Sequence, residues 1–221
     1  MFDVLYRNVR SRVTELAGSL TEEQLASPVA GSPRWTGRQV VAHLVGVAAD
    51  MASGNLGGAP NQAWTAAHVE ARNGRSLDEL IAEWDEVGPV VEAGLADRTF
   101  GPIPVFDALT HECDLRETFG LDRPPSQDVE AVACTAAKGT VKGFSGPGTL
   151  VVRAGEHEWT GGGGEPRTVL TVELYELFRG LISRRSRRQM RAWQWDCDGD
   201  PDELIERLPV FGARDDDQPV P

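Results

Sequence analysis

The feature that most constrains the fold is a change of hydrophobic period partway along the chain. Up to about Gly146 the apolar residues recur at helical spacing; beyond it they gather in short runs rich in β-branched residues. Val4, Val9, Val13, Leu16 and Leu20 form one helical stripe, and Leu77, Leu80, Ile81, Trp84, Val87 and Val91 another. Thr21-Glu22-Glu23-Gln24 opens a short helix with a capping threonine. Ser32-Pro33-Arg34-Trp35 reads as a loop that leaves Thr36 to cap the helix beyond. A glycine-rich break from Gly54 to Pro60 precedes a helix over 61–73. Pro102 and Pro104 introduce a further helix, which Gly120 stops. Four long helices joined by loops predict a four-helix bundle, whose core is a common place for a metal.

After the change, Thr149–Arg153 and Glu158–Thr160 read as a strand pair, and Thr168–Val172 as a further strand followed by a helix over 173–181. Trp193–Cys197 is one more strand, and a last helix starts at Asp200. The expected fold class is α+β, mainly α: a helical bundle over 1–145, a small α/β domain over 146–214 and a disordered tail over 215–221. Gly161–Gly164 reads as a flexible hairpin turn, since no Lys-Ser/Thr pair follows to make it a phosphate loop.

Three side chains suit a metal ion. Asp107 and His111 stand four residues apart, on one helical face and about 6 Å apart along the axis. His43 lies on the apolar helix that follows Thr36. Two neutral imidazoles and one carboxylate suit zinc, nickel or iron and leave positions open, the layout of a catalytic site rather than a closed structural one. Each residue also has an ordinary reading, His43 as a hydrogen-bonded core histidine and Asp107–His111 as a surface pair. His68 and His157 have no partner at ligand spacing. Asp114 reads as a group that orients an imidazole or ends a helix in a salt bridge. Arg72, at a helix end, is a candidate clamp for a substrate carboxylate.

A net charge of −12 disfavours nucleic acid and anionic membrane surfaces as partners. No apolar run approaches the roughly 20 residues that span a bilayer, and the N-terminus has no signal-like pattern. Three scattered cysteines suit reduced thiols in a cytoplasm, and none has a partner that would make it a nucleophile. Arg179, Arg184, Arg185, Arg187, Arg188 and Arg191 form a basic cluster, read as a groove for an anionic ligand or as ion pairs with the bundle.

The sequence resembles the mycothiol-dependent maleylpyruvate isomerase family, a branch of the DinB/YfiT-like metalloproteins. The residues that carry the likeness are Trp35-Thr36 leading to His43, the run Asp107-Ala108-Leu109-Thr110-His111-Glu112-Cys113-Asp114-Leu115-Arg116, and Gly120. Glu176-Leu177-Phe178-Arg179, Arg184-Arg185-Ser186, Trp195-Asp196 and Gly199-Asp200-Pro201 continue it. The resemblance implies a DinB-like four-helix bundle holding a divalent metal, usually Zn²⁺, through His43, Asp107 and His111, followed by a sterol-carrier-like α/β domain. It implies mycothiol as cosubstrate and a small electrophile as substrate. In the isomerase itself a glutamate stands at the position of Asp107; the shorter aspartate brings the metal nearer its own helix or admits a water.

Three functions fit these residues. One is a metal-dependent S-transferase or isomerase in which the thiolate of mycothiol attacks a small electrophilic substrate. Another is a thiol-independent metal hydrolase. The last is a non-catalytic protein that binds a small ligand or a metal. A monomer or a homodimer suits each.

Overall fold

The computed structural model describes residues 1–220, which form two compact units, 1–123 and 124–220. The molecule is mixed α+β and mainly helical, as the change of period implies.

The first unit contains α1 (Phe2–Ser19), α2 (Glu22–Ala26), β1 (Pro28–Val29), β2 (Ser32–Thr36), α3 (Gly37–Ser53), α4 (Gln62–Ala71), α5 (Leu77–Ala96) and α6 (Ile103–Thr118). The long helices α1, α3, α5 and α6 pack on one another. Their starts are set by side chains. Thr21, Thr36 and Ser76 each form a capping box with the residue three places on, Gln24, Gln39 and Glu79. The helix α3 ends at Gly54 in the left-handed region, and α6 stops two residues before Gly120. The stripe on α1 is Leu5, Tyr6, Val9, Val13, Leu16 and Ala17; Val4 points outward. Ser32–Thr36 is not a loop but the second strand of a small antiparallel hairpin with Pro28–Val29.

Polar ties fix α1 against its neighbours. The indole Nε1 of Trp84 donates to the hydroxyl of Tyr6 over 3.0 Å. The fully buried carboxylate of Glu112 accepts both Nε and Nη2 of Arg12 at 2.8 Å and Nε of Arg116 at 2.9 Å. A buried charge held in this way is satisfied, though removing one partner is costly.

The second unit contains α7 (Ser126–Lys142), β3 (Thr149–Ala154), β4 (His157–Gly162), β5 (Arg167–Thr171), α8 (Leu174–Leu181), α9 (Arg187–Arg191), β6 (Gln194–Asp196) and α10 (Asp202–Arg207). Its sheet has the order β4-β3-β5-β6, antiparallel except for the β3–β5 pair. The units divide at Arg123/Pro124 rather than near 145. The reason is α7, which buries Ala137 and Val141 in a core with Leu150, Val152, Leu170, Leu177, Leu181 and Met190 and packs on β4 and α8. The change of period near Gly146 placed it with the bundle; the partner of its apolar face assigns it to the sheet.

Gly161–Gly164 is not a hairpin turn either. Gly161 and Gly162 end β4, and the chain then crosses to start β5 on the other side of β3. A Cβ on Gly161 would lie 1.6 Å from the carbonyl oxygen of Val141, so only glycine lets β4 approach α7 this closely. The stretch 215–220, expected to be disordered, is held on α9. Ser186 Oγ donates to Asp217 over 2.5 Å, and Gln189 Nε2 donates to the carbonyl of Gln218 over 2.6 Å. Pro221 lies outside the described residues.

Candidate metal centre

The helices α3 and α6 bring His43, Asp107 and His111 together, and one ligand atom from each lies within 4.8 Å of the others. His43 Nε2 is 3.3 Å from Asp107 Oδ2, and His111 Nε2 is 3.6 Å from Asp107 Oδ1. The two imidazoles stand nearly perpendicular, at 80° with centroids 5.2 Å apart, and both are buried. Trp35, at the end of β2, lies over both rings, 4.7 Å from His43 and 5.9 Å from His111. The capping box at Thr36 thus fixes the start of the ligand helix and, one residue earlier, the indole that covers the site.

The proton positions follow from what surrounds the far nitrogens. Asp50 Oδ2 lies 3.0 Å from His68 Nε2, and an ionised carboxylate only accepts, so that nitrogen carries hydrogen. Burial pushes the pKa of His68 down, with Asp50 opposing. In the neutral ring Nδ1 is then an acceptor, and it lies 3.3 Å from His43 Nδ1, which must donate. That leaves the lone pair of His43 on Nε2, toward Asp107. On the other helix, His111 Nδ1 lies 3.0 Å from Oδ2 of the fully buried Asp114 without hydrogen-bond geometry, and Nε2 faces Asp107. The Nε2 lone pair of His43, Nε2 of His111 and a carboxylate meet at one point, an arrangement that a shared cation stabilises. Ligand atoms of a tetrahedral zinc ion stand about 3.3–3.6 Å apart, so the donor set fits a divalent metal in chemistry and in spacing.

The Asp50–His68–His43 chain is the part that sequence reasoning missed. His68 lies on α4, far from any ligand-like spacing, but it is buried and touches His43. Trp64, one turn earlier, packs edge-on against it with centroids 4.2 Å apart. The legible signal was Gly46, three residues after His43 on the same helical face. A Cβ there would sit 2.4 Å from both Cβ and Cγ of His68, so the glycine is the cradle of that ring.

Arg72 sits at the end of α4, where Nε and Nη2 grip Glu83 at 3.1 and 2.5 Å and Nη1 donates to the His68 carbonyl. It lines a cavity of about 240 Å³ with Gln39, Ala42, Val69 and Asn73, and His43, Asp107 and His111 do not line that cavity. Four arginines of the basic cluster pair with acids of their own unit. Arg185 forms a two-pronged pair with Glu176 at 2.6 and 2.9 Å, Arg187 pairs with Glu206 and Asp215, Arg188 with Asp217, and Arg191 with Asp200 and Asp202. Burial and the Glu130 carboxylate push the Cys134 thiol up, away from a reactive thiolate. No helix among the described residues is long and apolar enough to cross a membrane.

Comparison with known proteins adds the family. Residues 6–116 match the family described as the mycothiol maleylpyruvate isomerase N-terminal domain, a span that includes His43, Asp50, His68, Asp107, His111 and Asp114. No curated protein matches the sequence. Among solved structures, the fold is similar to that of the mycothiol-dependent maleylpyruvate isomerase, with a TM-score of 0.56, and to that of a histidine-to-alanine variant of it, with a TM-score of 0.58. Each is 13% identical over 83% of this chain and 88% of the other. With the family match spanning half of its length, this chain belongs to the mycothiol maleylpyruvate isomerase family.

Proposed function

We propose that the protein is a mycothiol-dependent isomerase or S-transferase that acts on a small electrophilic substrate and uses a divalent metal, zinc by ligand type, held by His43, Asp107 and His111. The observation that carries this reading is the convergence of two Nε2 atoms on the Asp107 carboxylate, each imidazole having its Nδ1 against another residue. Family membership supports mycothiol as the thiol. When bound, the metal supplies a Lewis acid that favours thiolate over thiol at neutral pH.

The remaining work falls to the chain's own side chains. Asp50 through His68 holds the His43 ring in one tautomer and one orientation, which strengthens it as a ligand, and the Asp114 carboxylate lies against Nδ1 of the His111 ring. Trp35 covers both rings and keeps water from their faces. The side chain of Asp107 is 28% exposed where both histidines are nearly inaccessible, so thiol and electrophile reach the centre past the carboxylate. In this reading the first unit is a DinB-like four-helix bundle of α1, α3, α5 and α6, the second is sterol-carrier-like, and the enzyme is cytoplasmic.

The test combines elemental analysis with turnover. The purified protein is expected to hold about one metal per chain and to turn over electrophiles only when mycothiol is present; His43→Ala loses metal and activity together. Turnover without thiol would make the protein a metal hydrolase. Tight binding of metal and thiol without turnover would make it a binding protein. No stoichiometric metal after reconstitution overturns the metal centre.

A further inference from the structure

A second group of metal-ligating side chains lies in the other unit, outside the family match. Glu130 and Cys134 stand four residues apart on α7, on one helical face. His157 is the first residue of β4. A carboxylate oxygen, the sulfur and a ring nitrogen of these three lie within 4.8 Å of one another, and His157 Nε2 is 2.9 Å from Glu130 Oε1. The His157 ring is stacked at 24° on Trp159, two residues along the same strand, which limits its orientations.

We infer that Glu130, Cys134 and His157 form a second metal site, selective for a borderline or soft divalent cation such as zinc, cobalt or cadmium. The donor set decides the class. One sulfur and one imidazole nitrogen disfavour magnesium and calcium, which take oxygen ligands, and one carboxylate completes a three-residue N/O/S set. Ligands of a tetrahedral zinc ion stand about 3.3–3.6 Å apart, so small rotations of one exposed and two partly buried side chains bring the three into range. Glu130 and His157 are 52% and 37% exposed, so an ion enters from solvent and water completes its coordination. As the sulfur–metal bond forms, the Cys134 thiol proton passes to solvent, and His157 exchanges its hydrogen bond with Glu130 for a bond to the cation. The ion would pin α7 to the β3–β4 hairpin, because the ligands come from both.

The sulfur makes this site separable from the His43–Asp107–His111 centre, which has none. Titration of the metal-free, full-length protein with Co²⁺ is expected to fill two sites per chain and to produce a thiolate-to-cobalt charge-transfer band. Cys134→Ser should abolish the band and leave one cobalt per chain. Glu130→Gln and His157→Gln should each weaken the cobalt affinity that the band reports at least tenfold. The inference is overturned by a wild-type protein without the band at saturating cobalt, or by a band of full strength in Cys134→Ser. It is equally overturned if the band disappears in Cys134→Ser but is unmoved by both glutamine variants, which would leave a single cysteine binding alone.

Discussion

Replacing Gly46 with alanine drives a methyl group into His68. The new Cβ would lie 2.4 Å from Cβ and Cγ of the histidine and 2.8 Å from Cδ2. Carbon atoms pack at about 3.5–4.0 Å, so α4 must retreat from α3 by about 1–1.5 Å. The clash is with the root of the side chain, and rotation about χ1 leaves Cβ where it is. A gap of that size takes His68 Nδ1, now 3.3 Å from His43 Nδ1, beyond hydrogen-bond range. Alanine is the better helix former by about 1 kcal/mol, and overpacking costs about 1–3 kcal/mol, so global stability should fall by no more than about 2 kcal/mol. Metal affinity should fall more distinctly, by about 10–100-fold, the usual cost of losing the group that orients a ligating imidazole. Zinc affinity measured by competition with a chromophoric chelator, beside a denaturant titration, separates the two effects. His68→Ala should match the loss of affinity without the clash. A Gly46→Ala protein that binds zinc as the wild type does would refute the claim that His68 orients His43.

Asp114→Asn should likewise weaken zinc binding about 10–100-fold, read in the same competition assay, because the carboxylate beside His111 Nδ1 loses its charge. Glu112→Ala removes the buried carboxylate that Arg12 and Arg116 share and should cost about 3 kcal/mol, the low end for a broken buried pair because both arginines are partly exposed; the midpoint of denaturant unfolding checks it. Burial raises the pKa of Tyr6 to about 12 from 10.0. The unfolded chain therefore loses this proton first, and the native state is destabilised as pH rises from 10 to 12, by about 2–3 kcal/mol across that window. Tyr6→Phe should lack that alkaline decline while losing about 1–3 kcal/mol at neutral pH, since the buried Trp84 N–H loses its acceptor. Unfolding curves of both proteins between pH 8 and about pH 12 test the sign.

What the sequence determined by itself was local. Caps and breakers act within a few residues, which is why Thr21, Thr36, Gly54 and Gly120 stand where their helices begin and end. The i,i+4 spacing of Asp107 and His111 is a property of any helix, and the apolar surroundings of His43 marked it as buried. The strands from Thr149 to Thr171 were legible as β-branched runs, whereas the parallel pairing of β3 with β5 was not, because strand order depends on where a connection crosses. Only the tertiary structure decided which surface each apolar face covers. A helical stripe states that a face is buried without naming its partner, so α7 read as part of a bundle and packs on a sheet. The same holds for His68: its role arises from a ring on one helix meeting a glycine on another, a relation between residues 22 positions apart that no local period encodes.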